Sequence, residues 1–135
     1  MLESDYPYTG KDGNCAYDAL KGVASIFYVQ QITPKYKGLL KKALLLGPVA
    51  VAIDTSADAL KFYDSGILTK NECGGTNIDH AVLAVGFGSE NGVDYFIIKN
   101  SWGKIWGEDG FARIAAENQG PGACGIQMEP TQPFA

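Results

Sequence analysis

The sequence predicts an α+β domain: a curled, barrel-like antiparallel β-sheet with short helices. Three observations point there. Val49 to Ile53 is a short continuous apolar run, the pattern of a buried strand. Two further apolar segments, the second Val93 to Lys99, flank Asn91-Gly92, a pair with a strong bias to hairpin turns. Helical periodicity is confined to two short stretches, near residues 34–46 and 56–63, so strands carry the frame.

Taken in order, residues 1–20 read as loop, because Asp5, Pro7, Gly10, Asp12-Gly13 and Asn14 break regular structure. Val23 to Ile32 is rich in β-branched and aromatic residues and reads as a strand. Thr33 is the expected cap of a helix with Pro34 in its first turn. In that helix Tyr36, Leu39, Leu40, Ala43 and Leu44 share one face, and Lys35, Lys37, Lys41 and Lys42 form a solvated one. Gly47-Pro48 stops it. Ser56 to Tyr63 reads as a short capped helix, 71–77 as a Gly-rich loop, Phe111 to Ala115 as a strand and Glu117 to Gly122 as a polar loop.

A chain of 135 residues is one domain, 1–135, with 46% apolar and 19% charged residues, an ordinary globular balance. A net charge of −4 and a pI near 4.8 argue against nucleic acid or an anionic membrane as partner. No apolar run approaches the roughly 20 residues of a membrane span, and Met1-Leu2-Glu3-Ser4-Asp5 is not a signal peptide. No Asn-x-Ser/Thr acceptor is present, there is no repeat, and one histidine without a His/Cys cluster at ligand spacing speaks against a metal. No cofactor is implied. Three cysteines, Cys15, Cys73 and Cys124, leave one over in any internal pairing.

The chemistry gathers between Asp79 and Gly110. His80, the only histidine, opens one arm of the predicted hairpin, and Asn100 closes the other. A turn centred near residue 90 sets His80 opposite Asn100, roughly 5 Å away on one face. The loop Gly86 to Gly92 is longer than a bare two-residue turn, which leaves room for a slip of one or two residues. A carboxamide beside an imidazole fixes the ring's tautomer and leaves its other nitrogen free to take a proton from a nucleophile. A lone histidine on an apolar strand is ordinarily a satisfied core residue, so the surrounding motif decides.

Asn100-Ser101-Trp102-Gly103-Lys104-Ile105-Trp106-Gly107-Glu108-Asp109-Gly110 resembles the segment around the catalytic asparagine of papain-like cysteine peptidases, closest to the cathepsin L-like branch. Asp79-His80-Ala81-Val82 resembles their histidine segment, and Tyr6-Pro7-Tyr8 and Cys124-Gly125-Ile126 match further landmarks in the family's order. The resemblance spans nearly the whole chain and implies the family's right-hand domain. The family nucleophile lies in a Cys-Gly-Ser-Cys-Trp-like segment, and no such segment occurs in these 135 residues. The implied activity is peptide-bond hydrolysis at a Cys-His-Asn site, with His80 and Asn100 from this chain and the thiol from an amino-terminal half. The alternative is a non-catalytic module that binds peptides or a partner protein.

The resemblance also implies roles. Trp102, with Ser101 beside it, would shield the His80–Asn100 contact, and Trp106 would line the leaving-group side of the cleft. Ala52 and Ile78 would wall the main specificity pocket, with Ala81 close by, and Glu129 would form its floor. Asp79, which strand alternation turns to the face opposite His80, is expected to act electrostatically on the cleft rim. Cys73 and Cys124 would form a disulfide, with Cys15 unpaired within the chain. Expected partners are peptide or protein substrates, the amino-terminal half, and protein inhibitors or a propeptide. A disulfide implies a lysosomal, vacuolar or secreted location.

Overall fold

A computed structural model describes all of residues 1–135. The first 27 residues are largely irregular, with one 3₁₀ turn at Ala19–Lys21. There follow β1 (Tyr28–Gln31), α1 (Lys37–Leu44), β2 (Val49–Ile53), α2 (Asp58–Lys61), β3 (Ile67–Leu68), β4 (His80–Glu90), β5 (Val93–Lys99), β6 (Phe111–Ala115) and β7 (Thr131–Phe134). The seven strands form one sheet in the order β1-β7-β2-β4-β5-β6-β3. The α+β class holds, with a sheet as the frame and few, short helices. The sheet is open rather than closed, with β1 and β3 at its edges, and mixed rather than wholly antiparallel, since β3 pairs with β6 in parallel.

Strand alternation builds the core. Val49, Val51 and Ile53 of β2, Ala84 of β4, Phe96 and Ile98 of β5, and Ala112 and Ile114 of β6 are all buried on one side of the sheet. Leu40 and Ala43 of α1 pack into the same cluster. The carbonyl groups at the end of α1 find an internal donor: the buried Gln132 side chain of β7 donates to Ala43 O (2.9 Å) and Gly47 O (3.0 Å).

Several expectations shift. The first strand is only Tyr28–Gln31, paired with Thr131–Phe134, with Phe27 N–H still donating to Phe134 O. Helix α1 starts at Lys37, not at Thr33-Pro34, since Lys35 takes φ 67°, which helical backbone cannot contain. Helix α2 is a single turn, and Ser56 does not cap it. The lysine face is not simply solvated: Lys37 and Lys41 both bind Asp94 of β5, at 2.7 and 2.9 Å, and hold its carboxyl well below the usual range.

The hairpin also differs from expectation. Its turn is a bare Asn91-Gly92 pair, with φ 50° and 80°, the type I′ geometry that matches strand twist. A bulge between Ala84 and Gly86 then shifts the pairing, so that Leu83 faces Lys99. His80 therefore does not sit opposite Asn100. It lies beyond the end of β5, next to Ile53 of β2, and Asn100 reaches it from the loop after β5.

Candidate active site

His80 is the first residue of β4 and is half-buried. Its Nε2 lies 2.9 Å from Asn100 Oδ1. Ser101 N–H donates to the same oxygen at 2.8 Å. That second donor fixes the carboxamide: an NH₂ group in its place would set a donor against the Ser101 N–H. Nε2 therefore carries a proton and donates it, and Nδ1 is left as the basic nitrogen. Asn100 is only 9% exposed and its Nδ2 has no partner. The orientation of the amide is thus set by its oxygen alone.

The loop after β5 folds back on itself to hold this pair. Asn100 N–H donates to Gly110 O (2.9 Å) and Gly110 N–H to Trp106 O (2.8 Å). Gly103 and Gly110 take φ 89° and 90°, values open to glycine and strained for other residues. The Trp102 ring stacks on the His80 ring, centroids 5.1 Å apart and planes 24° apart. Trp106 meets Trp102 edge-on at 5.3 Å. The two tryptophans differ in kind. Trp102 is 37% exposed, whereas Trp106 is 8% exposed and spends its indole N–H on Leu60 O. Trp106 is chiefly a core ring, with one side on a shallow hollow of about 520 Å³ that Phe62, Trp102 and Ile105 also line.

On the other side of His80, Ala52 of β2 pairs with Ala81 of β4, and both point to the outer face of the sheet. Ile78 sits against Gly125, so the loop after Cys124 abuts the segment that leads into His80. Glu129 is exposed and makes no hydrogen bond or ion pair. Asp79, the expected rim charge, is exposed and also has a structural tie. Its Oδ1 accepts from both the N–H and the hydroxyl of Thr55, each at 2.9 Å, and ties the end of β2 to the start of β4.

Cys73 and Cys124 are disulfide-bonded and fully buried, with Cys124 N–H also donating to Cys73 O. Cys15 is free and exposed.

Two residues that sequence reasoning missed support the site. Asp54, 3% exposed, follows β2 and accepts from Ser56 N–H and Asn77 N–H, both at 2.8 Å. Hydrogen bonds from Ser56, side chain and backbone, hold its carboxyl below the ordinary value despite burial. A Cβ on Gly75 would collide with that carboxylate. The clamp pins the loop that runs into Ile78, Asp79 and His80. Tyr63 is the other, packed at 5.5 Å against Trp106. The Gly74-Gly75 pair signals a close backbone approach, but nothing local names Asp54 as what it approaches.

A histidine paired with an asparagine beneath a tryptophan, in this order and beside a buried disulfide, is an arrangement with known relatives. The profile described as "Papain family cysteine protease" matches residues 1–134. The chain belongs to the papain family of cysteine proteases. It is 48% identical over 137 residues to "Cysteine proteinase COT44" of Brassica napus, covering 97% of this chain and 40% of that protein. It is 40% identical over 136 residues to "Procathepsin L" of Rattus norvegicus, covering 98% of this chain and 40% of that protein. In three dimensions it matches digestive procathepsin L 3 of Tenebrio molitor with a TM-score of 0.91 at 38% identity, over 100% of this chain and 44% of that one. Bromelain of Ananas comosus, solved with the E64 inhibitor, matches with a TM-score of 0.88 at 33% identity, over 98% of this chain and 61% of that one. The cathepsin L-like resemblance holds, and the chain spans about 40% of the length of these curated relatives.

Proposed function

We propose that this chain is the His/Asn-bearing, right-hand domain of a papain-like cysteine endopeptidase, whose nucleophilic thiol comes from a segment outside these 135 residues. The single observation that carries this is the 2.9 Å contact between His80 Nε2 and Asn100 Oδ1 beneath Trp102. Nε2 is committed to Asn100, so Nδ1 does the proton work. A thiol placed at Nδ1 gives up its proton to form a thiolate–imidazolium pair. The thiolate attacks the substrate carbonyl, forming a C–S bond. The amine leaves as the C–N bond breaks and takes the proton from Nδ1. Water then hydrolyses the thioester, with Nδ1 receiving its proton and the thiol released. By family resemblance the oxyanion hole comes from the thiol-bearing half.

Catalytic roles go to His80 and Asn100, with Trp102 and Ser101 in support. Ala52, Ile78 and Ala81 wall the substrate pocket. Ala50 of β2 pairs with Thr131 of β7. Continued by two residues, that pairing would carry Glu129 alongside Ala52, where a floor carboxylate belongs. The pocket then accepts Leu or Phe, and Arg through Glu129. Trp106 and its hollow lie on the leaving-group side. The buried disulfide supports a lysosomal, vacuolar or secreted location. Relatives titled as procathepsins and proforms support a propeptide as the partner that covers the cleft before activation. Protein inhibitors would occupy the same cleft.

A peptide- or partner-binding module without catalysis is favoured only by the lack of a Cys-Gly-Ser-Cys-Trp-like segment. One experiment separates the two readings. The chain is combined with a family amino-terminal half bearing the cysteine, and hydrolysis of a peptide substrate is followed. The peptidase reading expects no turnover by the chain alone, turnover on assembly, and none with His80→Ala. Turnover that survives His80→Ala would end it.

A further inference from the structure

We propose that Tyr63 is a positioning residue for His80, acting through three ring contacts that run Tyr63–Trp106, Trp106–Trp102 and Trp102–His80. The inference rests on the reading of His80 as the base. The geometry begins with what the Asn100 bond leaves undone. A single Nε2–H···Oδ1 bond fixes one corner of the imidazole, and the ring can still turn about that axis. Its plane decides where Nδ1 points. The only ring against that plane is Trp102, at 5.1 Å and 24°.

Trp102 cannot set the plane by itself. It is 37% exposed and is followed by Gly103 at φ 89°, so its own segment gives it little support. Its edge-on contact with Trp106, at 5.3 Å and 82°, supplies the missing constraint. Trp106 in turn is held at two points: by its N–H on Leu60 O (3.0 Å) and by the Tyr63 ring (5.5 Å, 45°).

Tyr63 is the anchored end of this run. It is 6% exposed. Its hydroxyl donates to Gly66 O (2.6 Å) and accepts from Arg113 N–H of β6 (3.3 Å). Its own carbonyl accepts from Gly107 N–H (3.1 Å), one residue past Trp106. A Cβ on Gly107 would strike the Tyr63 ring, so the two approach as closely as backbone allows. Arg113 grips Glu108 through Nε and Nη2, and Glu108 accepts from Gly66 N–H, which closes the bracket around the phenol. The most rigid ring of the four thus lies farthest from the chemistry, and the chain of rings carries its position outward to the imidazole.

His80 is the chain's only histidine, so its ring protons are read without ambiguity in a histidine-labelled chain. Stacking on Trp102 shifts the His80 carbon-bound ring proton signals upfield of their position in the unfolded chain. We expect Tyr63→Met, which fills the volume without a ring, to lose most of that shift. We expect Tyr63→Phe, which keeps the ring but forfeits the hydroxyl's bonds to Gly66 and Arg113, to retain more of it than Tyr63→Met. In the assembled enzyme Tyr63→Met should lower kcat with KM unchanged, and Tyr63→Phe should recover part of kcat. A merely structural role would lower stability in both variants and leave the His80 signals of the folded fraction in place, and that result would overturn the proposal. Should Tyr63→Met not fold, Trp106→Phe tests the middle link. It keeps a core ring but forfeits the bond to Leu60, and a displacement of the His80 signals is expected, whereas unmoved signals would overturn the proposal. If the signals move as expected but the assembled enzyme hydrolyses nothing, the positioning stands and the peptidase reading falls.

Discussion

The two sides of His80 are built to different standards. On the Trp102 side every member is held by this chain: Asn100 is 9% exposed, Trp106 8% and Tyr63 6%, and each has a hydrogen bond or ring contact that fixes it. On the Ala81 side the walls stand open: Ala81 and Glu129 are exposed, and Ala52 and Ile78 only half-buried. On the proposed function the difference separates two tasks. Orienting a base demands a fixed ring plane and tautomer, and this chain's own residues would do that. Enclosing a substrate side chain demands surface on all sides, and the thiol-bearing segment would supply the rest.

That contrast can be broken most severely at the disulfide, which anchors the loops bearing Ile78 and Glu129 behind the open side. Removing the Cys73–Cys124 link, which spans 51 residues, with a double Cys→Ser variant should cost about 4 kcal/mol of unfolding free energy in urea by loop-closure entropy. A loss under about 1 kcal/mol would mean that packing alone holds those loops.

On the ordered side, Asn100→Ala removes the one bond that fixes the tautomer. Losing a hydrogen bond to a group that becomes charged costs about 1.5–3 kcal/mol, hence roughly ten- to a hundredfold in kcat of the assembled enzyme. Turnover should fall without vanishing, and a full-rate variant would detach Asn100 from the mechanism.

Asp54→Asn probes the clamp before His80. The amide would set a donor against the Ser56 or Asn77 N–H, at a cost of about 1–3 kcal/mol. Hydrogen bonds from Ser56 depress the carboxyl in the folded chain. Its contribution is therefore complete above the ordinary value of 3.8 and is lost as pH falls through the lower folded value. Thermal unfolding should show a constant gap between Asp54→Asn and the unaltered chain from pH 7 to about 5, closing only below about 3.8. A gap that closes near neutrality would assign it to another group.

The smallest effect is expected at Glu129, whose exposure weakens any ion pair it makes. Glu129→Ala should lower the Arg-to-Phe substrate preference a few-fold at most. An unchanged ratio removes Glu129 from the pocket.

Much of this was legible in the sequence, and the gaps have physical causes. β2, β5 and β6 were readable to the residue from apolar runs bounded by turn residues. The meeting of His80 and Asn100 was readable although the register was not, because the bulge at Ala84–Gly86 is marked only by Gly86, which reads equally as the start of a loop. The helix start was missed because Lys35 adopts a positive φ that composition does not announce. The Lys37–Asp94 pair and the Tyr63 bracket link residues about fifty or more apart, so only the closed fold brings them together.

Asn100 locks His80 with its proton on Nε2, which on the proposed function leaves Nδ1 to the thiol. The most direct measurement is the pair of ring ¹⁵N signals of this lone histidine in a labelled chain, at a pH where the ring is neutral. The account predicts a protonated, donor-type Nε2 and an unprotonated Nδ1, with the pattern lost in Asn100→Ala. A ring protonated on Nδ1, or one averaging freely between the two tautomers in the unaltered chain, would contradict it.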